Sequence, residues 1–357
     1  MLPNMNNVSP LVSVVIPMFN AARTIERSLQ SLCNQNYHNL EVVIVDDGSY
    51  DSSALLIKKF EKELFIKYSY INNSGPSNAR NIGIKHSSGK YLVFLDADDR
   101  LENNVLSKFV EIAETTKCDI ICANFIEENQ NLAKLKYVSW GEENTLLYAN
   151  AIAKKCLDYL KLPTKNVGFG YVWGKVFCSR IIKGKKINFD KSINALEDVK
   201  FIFEYLKYCN SAFFSTCHIQ THVIAEDYNS LTFRAFAENR LKGFFEFYKV
   251  INHGKKLLRP FYSRKEIQFA SSRFYVSFLI VQTIRVATFS PSESKSSVKA
   301  FMRKIVKTKR TTAYLRRYER FQKESFLLPF LLKIKLISLA LILSQIRGTL
   351  RYHVQWK

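Results

Sequence analysis

The segment that decides the fold runs from Gly75 to Asp99 and reads GPSNARNIGIKHSSGKYLVFLDADD. Its Gly-Pro-Ser opening predicts a helix that continues to about His86. The short apolar run Tyr91–Leu95 (YLVFL) is typical of a strand buried on both faces, and acidic residues follow it directly. A helix, a buried strand and an acidic turn in this order form one repeating unit of an α/β fold.

The same pattern precedes this segment in the chain. Leu11–Pro17 (LVSVVIP) and Glu41–Val45 (EVVIV) are predicted as buried strands and Ile66–Asn72 as a third strand, with helical patterns between them. Strands that alternate with helices at this spacing predict a doubly wound, mostly parallel sheet with helices on both faces. In sheets of this kind, ligands bind beyond the carboxyl ends of the strands.

Polar residues lie where three of these predicted strands end. Asn20 follows the first strand, Asp46 and Asp47 follow the second, and Asp96–Asp99 follows the fourth. Their clustering predicts an active site at one edge of the sheet. Taken singly, each group has an ordinary alternative, because Asp-Gly-Ser and Asp-Ala-Asp-Asp are also typical of solvated turns.

The charge of the chain is concentrated in its last third. Residues up to Arg234 include 27 basic and 25 acidic side chains, whereas those from Ala235 onward include 26 basic and 6 acidic ones, a net charge of +20. Such a region predicts a polyanion as partner, either an anionic membrane surface or nucleic acid. Because 47% of the 357 residues are hydrophobic, the composition excludes a disordered or fibrous chain.

The sequence divides into three predicted parts. Residues 1–117 hold the alternating strands and helices, residues 118–234 change to an α+β pattern, and residues 235–357 form a basic, mostly helical C-terminal region. The seven cysteines lack the spacing of a metal finger, and the N-terminal residues lack the features of a signal peptide. Free thiols in a reducing cytosol are therefore predicted.

The carboxylates after the fourth strand indicate a divalent cation. In an extended chain, Asp96 and Asp98 would project to the same side about 6.6 Å apart, while Asp99 would point away. Mg²⁺ and Mn²⁺ prefer oxygen ligands and leave positions open for phosphates, so one or two of these acids would hold a cation on a diphosphate. The alternative is a turn in which Asp99 caps the next helix.

Two other acidic positions carry specific hypotheses. Asp47 would accept a hydrogen bond from the imide N–H of a uracil or thymine ring, and a backbone group near Pro17 would complete recognition of the base. Glu197 and Asp198 precede the apolar helical run Phe201–Leu206. They are either first-turn residues that the helix dipole favours or a carboxylate that takes the proton of an alcohol acceptor.

Five segments, in this order and at this spacing, closely resemble the motifs of family 2 glycosyltransferases with the GT-A fold, of the kind that builds bacterial cell-surface polysaccharides. They are VSVVIPMFN (12–20), EVVIVDDGSYD (41–51), NNSGPSNARNIGIKHSSGKYLVFLDADD (72–99), VWGKVF (172–177) and ALEDVKFIF (195–203). The resemblance spans about Leu11 to Arg234. It implies that residues 1–117 are the nucleotide-sugar-binding half and residues 118–234 the acceptor-binding half of one GT-A domain.

The resemblance implies transfer of a sugar from a nucleotide-sugar to an acceptor hydroxyl, usually with inversion at the anomeric carbon. Asp98 matches the DxD motif of the family and would hold Mn²⁺ or Mg²⁺, while Asp96 would contact the ribose or assist the metal. Asp47 would contact the base. Asp198 matches the general base that deprotonates the acceptor, and Glu197 would orient it.

Further positions follow from the same resemblance. Arg80 lies in a matching Ala-Arg-Asn stretch near the donor nucleotide, although an Arg on a helix surface looks the same in sequence. Trp173 and Lys175 resemble a segment on the acceptor side, where Trp is equally typical of a core. His218 and His222 would either touch the metal or diphosphate or be structural. UDP is the preferred nucleotide, with dTDP and GDP as alternatives.

The basic C-terminal region contains one nearly apolar segment, Phe326–Leu343. Lys333 and Lys335 interrupt it and Pro329 lies in its first turn, so a membrane-spanning helix is disfavoured. We predict a helix that lies in the membrane interface and is supported by the basic run Arg303–Lys323. The alternative is a core helix of the C-terminal region.

These observations together predict the partners and the location. Residues 300–345 would bind an anionic membrane surface, the protein would be peripheral on the cytoplasmic face of the cell membrane, and the acceptor would be a lipid-linked saccharide. Nucleic acid has less support, because no nucleic-acid-binding module is recognised. A non-catalytic nucleotide-sugar-binding or scaffold protein stays an alternative. No Gly-x-Gly-x-x-Gly follows the first strand, which disfavours a nicotinamide-dependent dehydrogenase.

Overall fold

The structure, a computed structural model, divides into two units. The residues that it describes are 9–129, 134–139, 143–193, 196–224, 240–289, 295–320 and 325–355. The first unit comprises Met1–Ile152, Gly168–Lys191 and Glu197–Glu226, and the second comprises Ala153–Val167, Ser192–Leu196 and Asp227–Lys357. The predicted boundary between residues 234 and 235 lies outside the described residues.

Strands and helices alternate from the start of the first unit, as the sequence predicts. The strands are β1 (Val12–Met18), β2 (Leu40–Asp46), β3 (Phe65–Tyr70), β4 (Tyr91–Phe94), β5 (Arg100–Leu101), β6 (Ile120–Asn129), β7 (Lys134–Val138), β8 (Thr145–Tyr148), β9 (Lys175–Cys178) and β10 (Ser211–Ile224). The helices are α1 (Ile25–Cys33), α2 (Ser53–Ile57), α3 (Pro76–His86), α4 (Val105–Thr116), α5 (Ala149–Lys161), which continues into the second unit, α6 (Ser179–Gly184) and α7 (Glu197–Leu206).

The strands form one mixed sheet in the order β3-β2-β1-β4-β9-β6-β10-β5, with β7 beside β6 and β8 beside β10. β1 pairs in parallel with β2 and β4, β2 pairs in parallel with β3, and β6 pairs in parallel with β10. This parallel-rich, doubly wound arrangement confirms the predicted fold class. The sequence did not predict β9, which runs antiparallel between β4 and β6. This strand follows Gly174 and begins with Lys175, so it lacks the continuous apolar run that marks β4.

The register of β1 and β2 fixes the position of the polar strand ends. Pro17 lies opposite Val45 and Met18 lies opposite Asp46, so the two strands end side by side. β4 flanks β1 on its other side in parallel. The three strand ends that carry the predicted site residues therefore share one edge of the sheet.

Burial of apolar side chains on both faces holds this half of the sheet in place. Val14 and Ile16 of β1 are fully buried in the same core cluster as Ile25, Leu29 and Leu32 of α1, which recur at helical spacing. β1 and β2 have helices over both faces, so they are nearly continuous in apolar residues, as the sequence indicates. All seven cysteines lie in the described residues, and the structure shows none of them in a disulfide.

The described part of the second unit is helical, which confirms the predicted helical C-terminal region. After α5, its helices are α8 (Arg240–Leu258), α9 (Arg264–Phe289), α10 (Lys295–Lys307), α11 (Lys309–Arg317), α12 (Leu327–Lys333) and α13 (Ile337–Gln355). Arg273 of α9 is fully buried, and its Nε donates to the Lys161 carbonyl at 2.8 Å while Nη1 donates to the Glu319 carbonyl at 2.7 Å. One buried cation thus ties α9 to two other segments of the unit.

The apolar segment that the sequence predicts as one interfacial helix is two helices in the structure. α12 and α13 are separated by a turn in which Lys335 has a φ of 63°. Pro329 lies in the first turn of α12, where the backbone N–H groups have no intrahelical partner, so it does not break the helix. Of the helices that the structure describes, none combines the length and apolar character that crossing a bilayer requires.

Candidate active site

The ends of β1 and β2 are joined by hydrogen bonds around Asn20. Its backbone N–H donates to Ser49 Oγ at 2.9 Å, and its side-chain Oδ1 accepts the Tyr50 N–H at 3.0 Å. Asn20 has a φ of 47°, a left-handed conformation that Asn tolerates better than most residues. The structure therefore brings Asn20 to the loop that contains Asp47. Pro17, three residues before Asn20, is half-buried.

Asp47 is almost fully buried and holds the start of α3. Its two carboxylate oxygens accept the Ser74 N–H at 2.7 Å and the Gly75 N–H at 2.8 Å. A carboxylate is favoured at this point because the amino end of a helix carries a partial positive charge. Each oxygen keeps a second lone pair, so the structure is compatible with recognition of a base, which stays a prediction.

Asp96–Asp99 forms a turn and does not continue β4 as an extended strand. The Asp99 N–H donates to the Asp96 carbonyl at 3.0 Å. Two side chains of α1 hold this turn: Arg27 Nη2 donates to the Asp98 carbonyl at 2.6 Å, and Ser28 Oγ donates to the Ala97 carbonyl at 3.0 Å. The alternation of side-chain directions expected for an extended chain therefore does not apply here.

Asp98 lies in an environment crowded with carboxylates. Burial, together with the neighbouring charges of Asp99 and Asp96, raises the pKa of Asp98 to about 7, although the charge of His222 opposes this rise. A divalent cation would relieve this crowding, and carboxylate oxygens are the ligands that Mg²⁺ and Mn²⁺ prefer. Among the described residues, no three His, Cys, Asp or Glu side chains are grouped so that they could hold a metal ion by themselves. The residues present fit a cation whose remaining ligands come from a substrate and water.

Asp99 is fully buried and points towards β10. Its carboxylate accepts the Val223 N–H at 2.9 Å and a hydrogen bond from Gln220 Nε2 at 3.2 Å, and His222 Nδ1 lies 3.0 Å from it. Burial lowers the pKa of His222, but the charge and hydrogen bond of Asp99, together with the charges of Asp98 and Asp96, outweigh this effect and raise the pKa to about 9. The Asp99–His222 pair is therefore an ion pair, and Asp99 does not cap the next helix.

Arg80 of α3 lies at the centre of the candidate site. Its Nη2 is 2.9 Å from Asp96 Oδ1, and its Nη1 is 3.5 Å from Asp198 Oδ1 and 3.7 Å from Glu197 Oε1. The guanidinium also lies 5.4 Å from the centre of the Phe189 ring. Arg80 is thus a buried residue paired with three carboxylates, and the alternative of a surface Arg is wrong.

Glu197 and Asp198 begin α7 and face this guanidinium. Asp198 Oδ2 also accepts the Val172 N–H at 3.3 Å. Burial raises the pKa of Asp198, against the opposing effect of Arg80. Burial and the neighbouring Asp198 raise the pKa of Glu197 to about 7. Both acids therefore hold protons more tightly than ordinary carboxylates, which suits a group that must accept one.

Trp173 and Lys175 are both buried beside this site. The Trp173 ring stacks on Tyr171 at 4.3 Å and on His222 at 4.9 Å between ring centres. Lys175 Nζ donates to the carbonyls of Gly168 at 2.9 Å and Tyr171 at 2.5 Å, and burial lowers its pKa to about 8. Their direct contact with an acceptor stays a prediction, while the structure shows that they hold residues 168–173.

Sequence reasoning missed several residues at this edge of the sheet. Arg27 and Ser28 contact the Asp96–Asp99 turn from about 70 positions earlier in the chain, and no local pattern marks them. Phe19 and Tyr50 are exposed beside Asn20, with their ring centres 6.2 Å apart in an edge-on arrangement. Exposed aromatic residues that directly follow a buried strand were the available signal for this pair.

Comparison with known proteins gives an independent result. The sequence model of Glycosyl transferase family 2 matches residues 13–171. The chain is 30% identical over 195 residues to the uncharacterized glycosyltransferase EpsJ of Bacillus subtilis (strain 168), covering 54% of this chain and 55% of that protein. It is also 30% identical over 204 residues to the minor teichoic acid biosynthesis protein GgaA of the same strain, covering 55% of this chain and 43% of that protein. The chain thus spans about half the length of these relatives.

A solved structure shares the fold. S. aureus TarS, residues 1–349, in complex with UDP-GlcNAc superposes with a TM-score of 0.66 at 17% sequence identity, over 96% of this chain and 92% of that one. At this identity the likeness concerns the fold alone. It confirms the predicted GT-A type of α/β fold.

Proposed function

The match over residues 13–171 identifies this chain as a member of glycosyl transferase family 2. We propose that it moves a sugar from a nucleotide-sugar to an acceptor hydroxyl, with inversion at the anomeric carbon. The observation that carries this proposal is that Arg80 pairs with both Asp96 and Asp198. One guanidinium therefore keeps a donor-side carboxylate and an acceptor-side carboxylate together. Such closeness is what a transfer between two bound substrates needs.

The proposed donor is a UDP-sugar. Support comes from TarS, the fold neighbour that was solved with UDP and with UDP-GlcNAc. In this chain, Asp47 and a backbone group near Pro17 would recognise the base, and Asn20 fixes the loop between them. The exposed Phe19 ring offers an apolar face for the base. Sugars carried on dTDP or GDP are the alternative donors.

Mn²⁺ or Mg²⁺ is the proposed cofactor, with Asp98 as its protein ligand. When bound, the cation would neutralise the negative charge that develops on the leaving diphosphate. Arg80 holds Asp96 in place, and Asp96 would contact the ribose or assist the metal. Arg80 Nε is buried and has no hydrogen-bond partner in the described part of the chain.

Asp198 is the proposed general base. It would take the proton of the acceptor hydroxyl while the hydroxyl oxygen bonds to the anomeric carbon. The bond from that carbon to the diphosphate oxygen breaks on the opposite side, and one displacement inverts the centre. The raised pKa of Asp198 makes it a stronger base than an exposed Asp. Glu197, on the same guanidinium, would orient it.

The proposed acceptor is a lipid-linked saccharide in cell-surface polysaccharide assembly. Support comes from the similarity to a teichoic acid biosynthesis protein and from the basic C-terminal region, which would favour an acceptor that carries its own diphosphate. Trp173 and Lys175 would act on the acceptor side by holding residues 168–173, because the Val172 N–H in that segment contacts Asp198.

The proposed location is the cytoplasmic face of the cell membrane, with the protein attached peripherally. Residues 300–345 would bind the anionic surface through their basic side chains. This proposal is supported by the net charge of +20 from Ala235 onward.

The proposal is tested by calorimetric titration of UDP, dTDP and GDP in Mn²⁺ and again in EDTA, followed by assays of sugar release from the matching nucleotide-sugars. We expect one nucleotide to bind in a metal-dependent way and its sugar conjugates to release nucleotide. Binding without any turnover would favour the non-catalytic alternative. Absence of nucleotide binding, together with salt-sensitive binding of DNA, would favour the nucleic-acid alternative.

A further inference from the structure

The outer faces of α12 and α13 expose a row of large apolar side chains. Six of them, Leu327, Phe330 and Ile334, then Leu339, Ile342 and Ile346, recur at the same helical spacing of three and seven residues. Between 37% and 56% of each of these residues is accessible to solvent. Scattered exposed apolar residues are ordinary, but large apolar residues that recur along one face of each of two successive helices mark an interaction surface.

This row is additional to the apolar face that attaches the two helices. Leu328, Leu331 and Leu332 of α12 are buried, as are Ile337 and Ala340 of α13. Each helix therefore already packs one apolar face inside the second unit. The exposed apolar face takes no part in that packing, because the buried residues of each helix already provide its contacts inside the unit.

Cationic side chains accompany the row. Lys333 and Lys335 are exposed between its two halves, and α11 packs against α12. On α10 the exposed residues include Arg303, Lys304 and Lys307, and on α11 they include Arg316 and Arg317. Over residues 295–320 and 325–355, Glu319 is the one acidic residue of the sequence.

We infer that the outer face of α12 and α13 inserts into the interface of an anionic lipid bilayer, with the exposed cations of α10 and α11 at the lipid phosphates. The combination of exposed apolar and cationic side chains indicates which kind of partner fits this face. A second copy of this chain would bring a like-charged face, which repels. A nucleic acid would match the cations but would leave the aliphatic row in water. A bilayer interface supplies anionic groups beside acyl chains, and amphipathic helices bury their apolar face about 5–10 Å into it.

This inference rests on the membrane attachment proposed above and names its contact face, but it needs no step of sugar transfer. It also makes a distinct physical claim. Attachment by charge alone would be lost at about 1 M salt, where the screening length falls to about 3 Å. Insertion of apolar side chains persists under those conditions, because salt does not weaken the hydrophobic effect.

The test is co-sedimentation of the full chain with phosphatidylcholine vesicles, with and without phosphatidylglycerol, at low salt and at about 1 M salt. Three variants are compared: Phe330→Ser/Leu339→Ser/Ile342→Ser for the apolar row, Arg303→Gln/Lys304→Gln/Lys307→Gln for the cations, and Leu55→Ser as control. Leu55 is also an exposed apolar residue, at 64%, but lies in the first unit. Circular dichroism and UDP titration check that each variant is folded.

We expect the wild type and Leu55→Ser to bind phosphatidylglycerol vesicles and to retain part of that binding at high salt. The apolar-row variant should bind at least about tenfold more weakly and lose the salt-resistant part. The cation variant should lose mainly the low-salt preference for phosphatidylglycerol.

Three results would each overturn the inference. They are wild-type binding that disappears at high salt, an apolar-row variant that binds like the wild type, and ultracentrifugation that shows the row holding two copies together. A wild-type protein that binds the vesicles but does not bind UDP would contradict the proposed function and leave this inference standing.

Discussion

Arg80 Nη1 lies 3.5 Å from Asp198 Oδ1, so the proposed general base is paired with a buried cation that also holds Asp96. Burial raises the pKa of Asp198, whereas the charge of Arg80 opposes that rise. The two largest influences on the basicity of Asp198 are therefore desolvation and the charge of Arg80. Any change at Arg80 should be visible in the pH dependence of the reaction.

Replacing Arg80 by Met should move the acid limb of the kcat/KM profile to higher pH. The reaction needs Asp198 without its proton, so the rate rises as pH rises through the pKa of this group. Removing the cation that favours the carboxylate raises that pKa, by about 1 to 3 units for a neighbouring opposite charge. The measurement is sugar release or transfer as a function of pH at saturating metal.

Arg80→Lys is the matched control, because Lys keeps the charge and should shift the acid limb less than Met does. Arg80 also contacts Asp96, so both variants are expected to bind the donor more weakly. An Arg80→Met variant whose acid limb stays where the wild type has it would show that Arg80 acts on the donor side alone.

Asp198→Asn should retain donor binding and lose transfer. The amide keeps the size of the side chain but does not take the acceptor proton, and general base catalysis contributes about 10²–10⁴-fold to a rate. Calorimetry with the nucleotide and a transfer assay measure the two properties separately. Glu197→Gln serves as comparison, since the loss of an orienting residue should lower the transfer rate less than the loss of the base. If Asp198→Asn transferred sugar at the wild-type rate, the assignment of the base would be wrong.

Asp98→Asn should remove the dependence of nucleotide binding on Mn²⁺. The neutral amide is a poorer ligand for a hard cation than a carboxylate, so binding in Mn²⁺ should fall to the level that the wild type shows in EDTA. Asp158→Asn is the control, because Asp158 is an exposed acid whose partner is Lys154 on the same helix. Equal Mn²⁺ dependence in wild type and Asp98→Asn would place the metal on other residues.

The sequence was sufficient for the parts of the fold that depend on local pattern. β1, β2 and β4 are continuous apolar runs, so their existence and their parallel arrangement followed from periodicity and from the alternation with helices. The strand β9 was not found, because it follows a Gly, begins with a Lys and therefore lacks a continuous apolar run. In the C-terminal region, the turn at Lys335 was missed because Lys carries no signal for the left-handed conformation that it adopts there.

For the candidate site, sequence reasoning named several residues that the structure places near one another, but it did not predict their partners. It placed Asp47, Asp98 and Asp198 at strand or helix ends, where polar residues have a clear signal. It did not foresee that Asp99 pairs with His222, because these residues are 123 positions apart. Pairings of this kind depend on the register of distant strands, which no single segment encodes.

Asp99→Ala should destabilise the first unit strongly. Removing this fully buried carboxylate leaves the cationic His222 ring, Gln220 Nε2 and the Val223 N–H without their acceptor. Breaking a buried pair in this way typically lowers the free energy of unfolding by about 3–5 kcal/mol. The measurement is urea denaturation at pH 7. Asp96→Ala is the comparison, because Asp96 is partly exposed and should cost less stability. A small effect of Asp99→Ala would mean that water readily replaces the carboxylate.

Gly83→Ala should destabilise the protein although Ala is the better helix former. Gly83 lies within α3, and a Cβ there would come within 2.2 Å of Val15 Cγ1 on the central strand β1. Val15 is fully buried and β-branched, so it does not move aside easily. Overpacking of this kind costs about 1–3 kcal/mol, which outweighs the gain of about 1 kcal/mol in helix propensity.

The clash between the new methyl group of Gly83→Ala and Val15 should also disturb the candidate site, because Arg80 lies one turn earlier on the same helix. Pushing α3 away from β1 moves the guanidinium relative to Asp96 on the neighbouring strand end, so nucleotide binding should weaken along with stability. Gly184→Ala is the control: Gly184 ends α6, and a Cβ there would meet no atom within 4 Å. Urea denaturation and calorimetry of both variants make the comparison. A Gly83→Ala protein as stable as Gly184→Ala would show that α3 does not approach β1 this closely, and the position of Arg80 would then have to depend on its ion pairs alone.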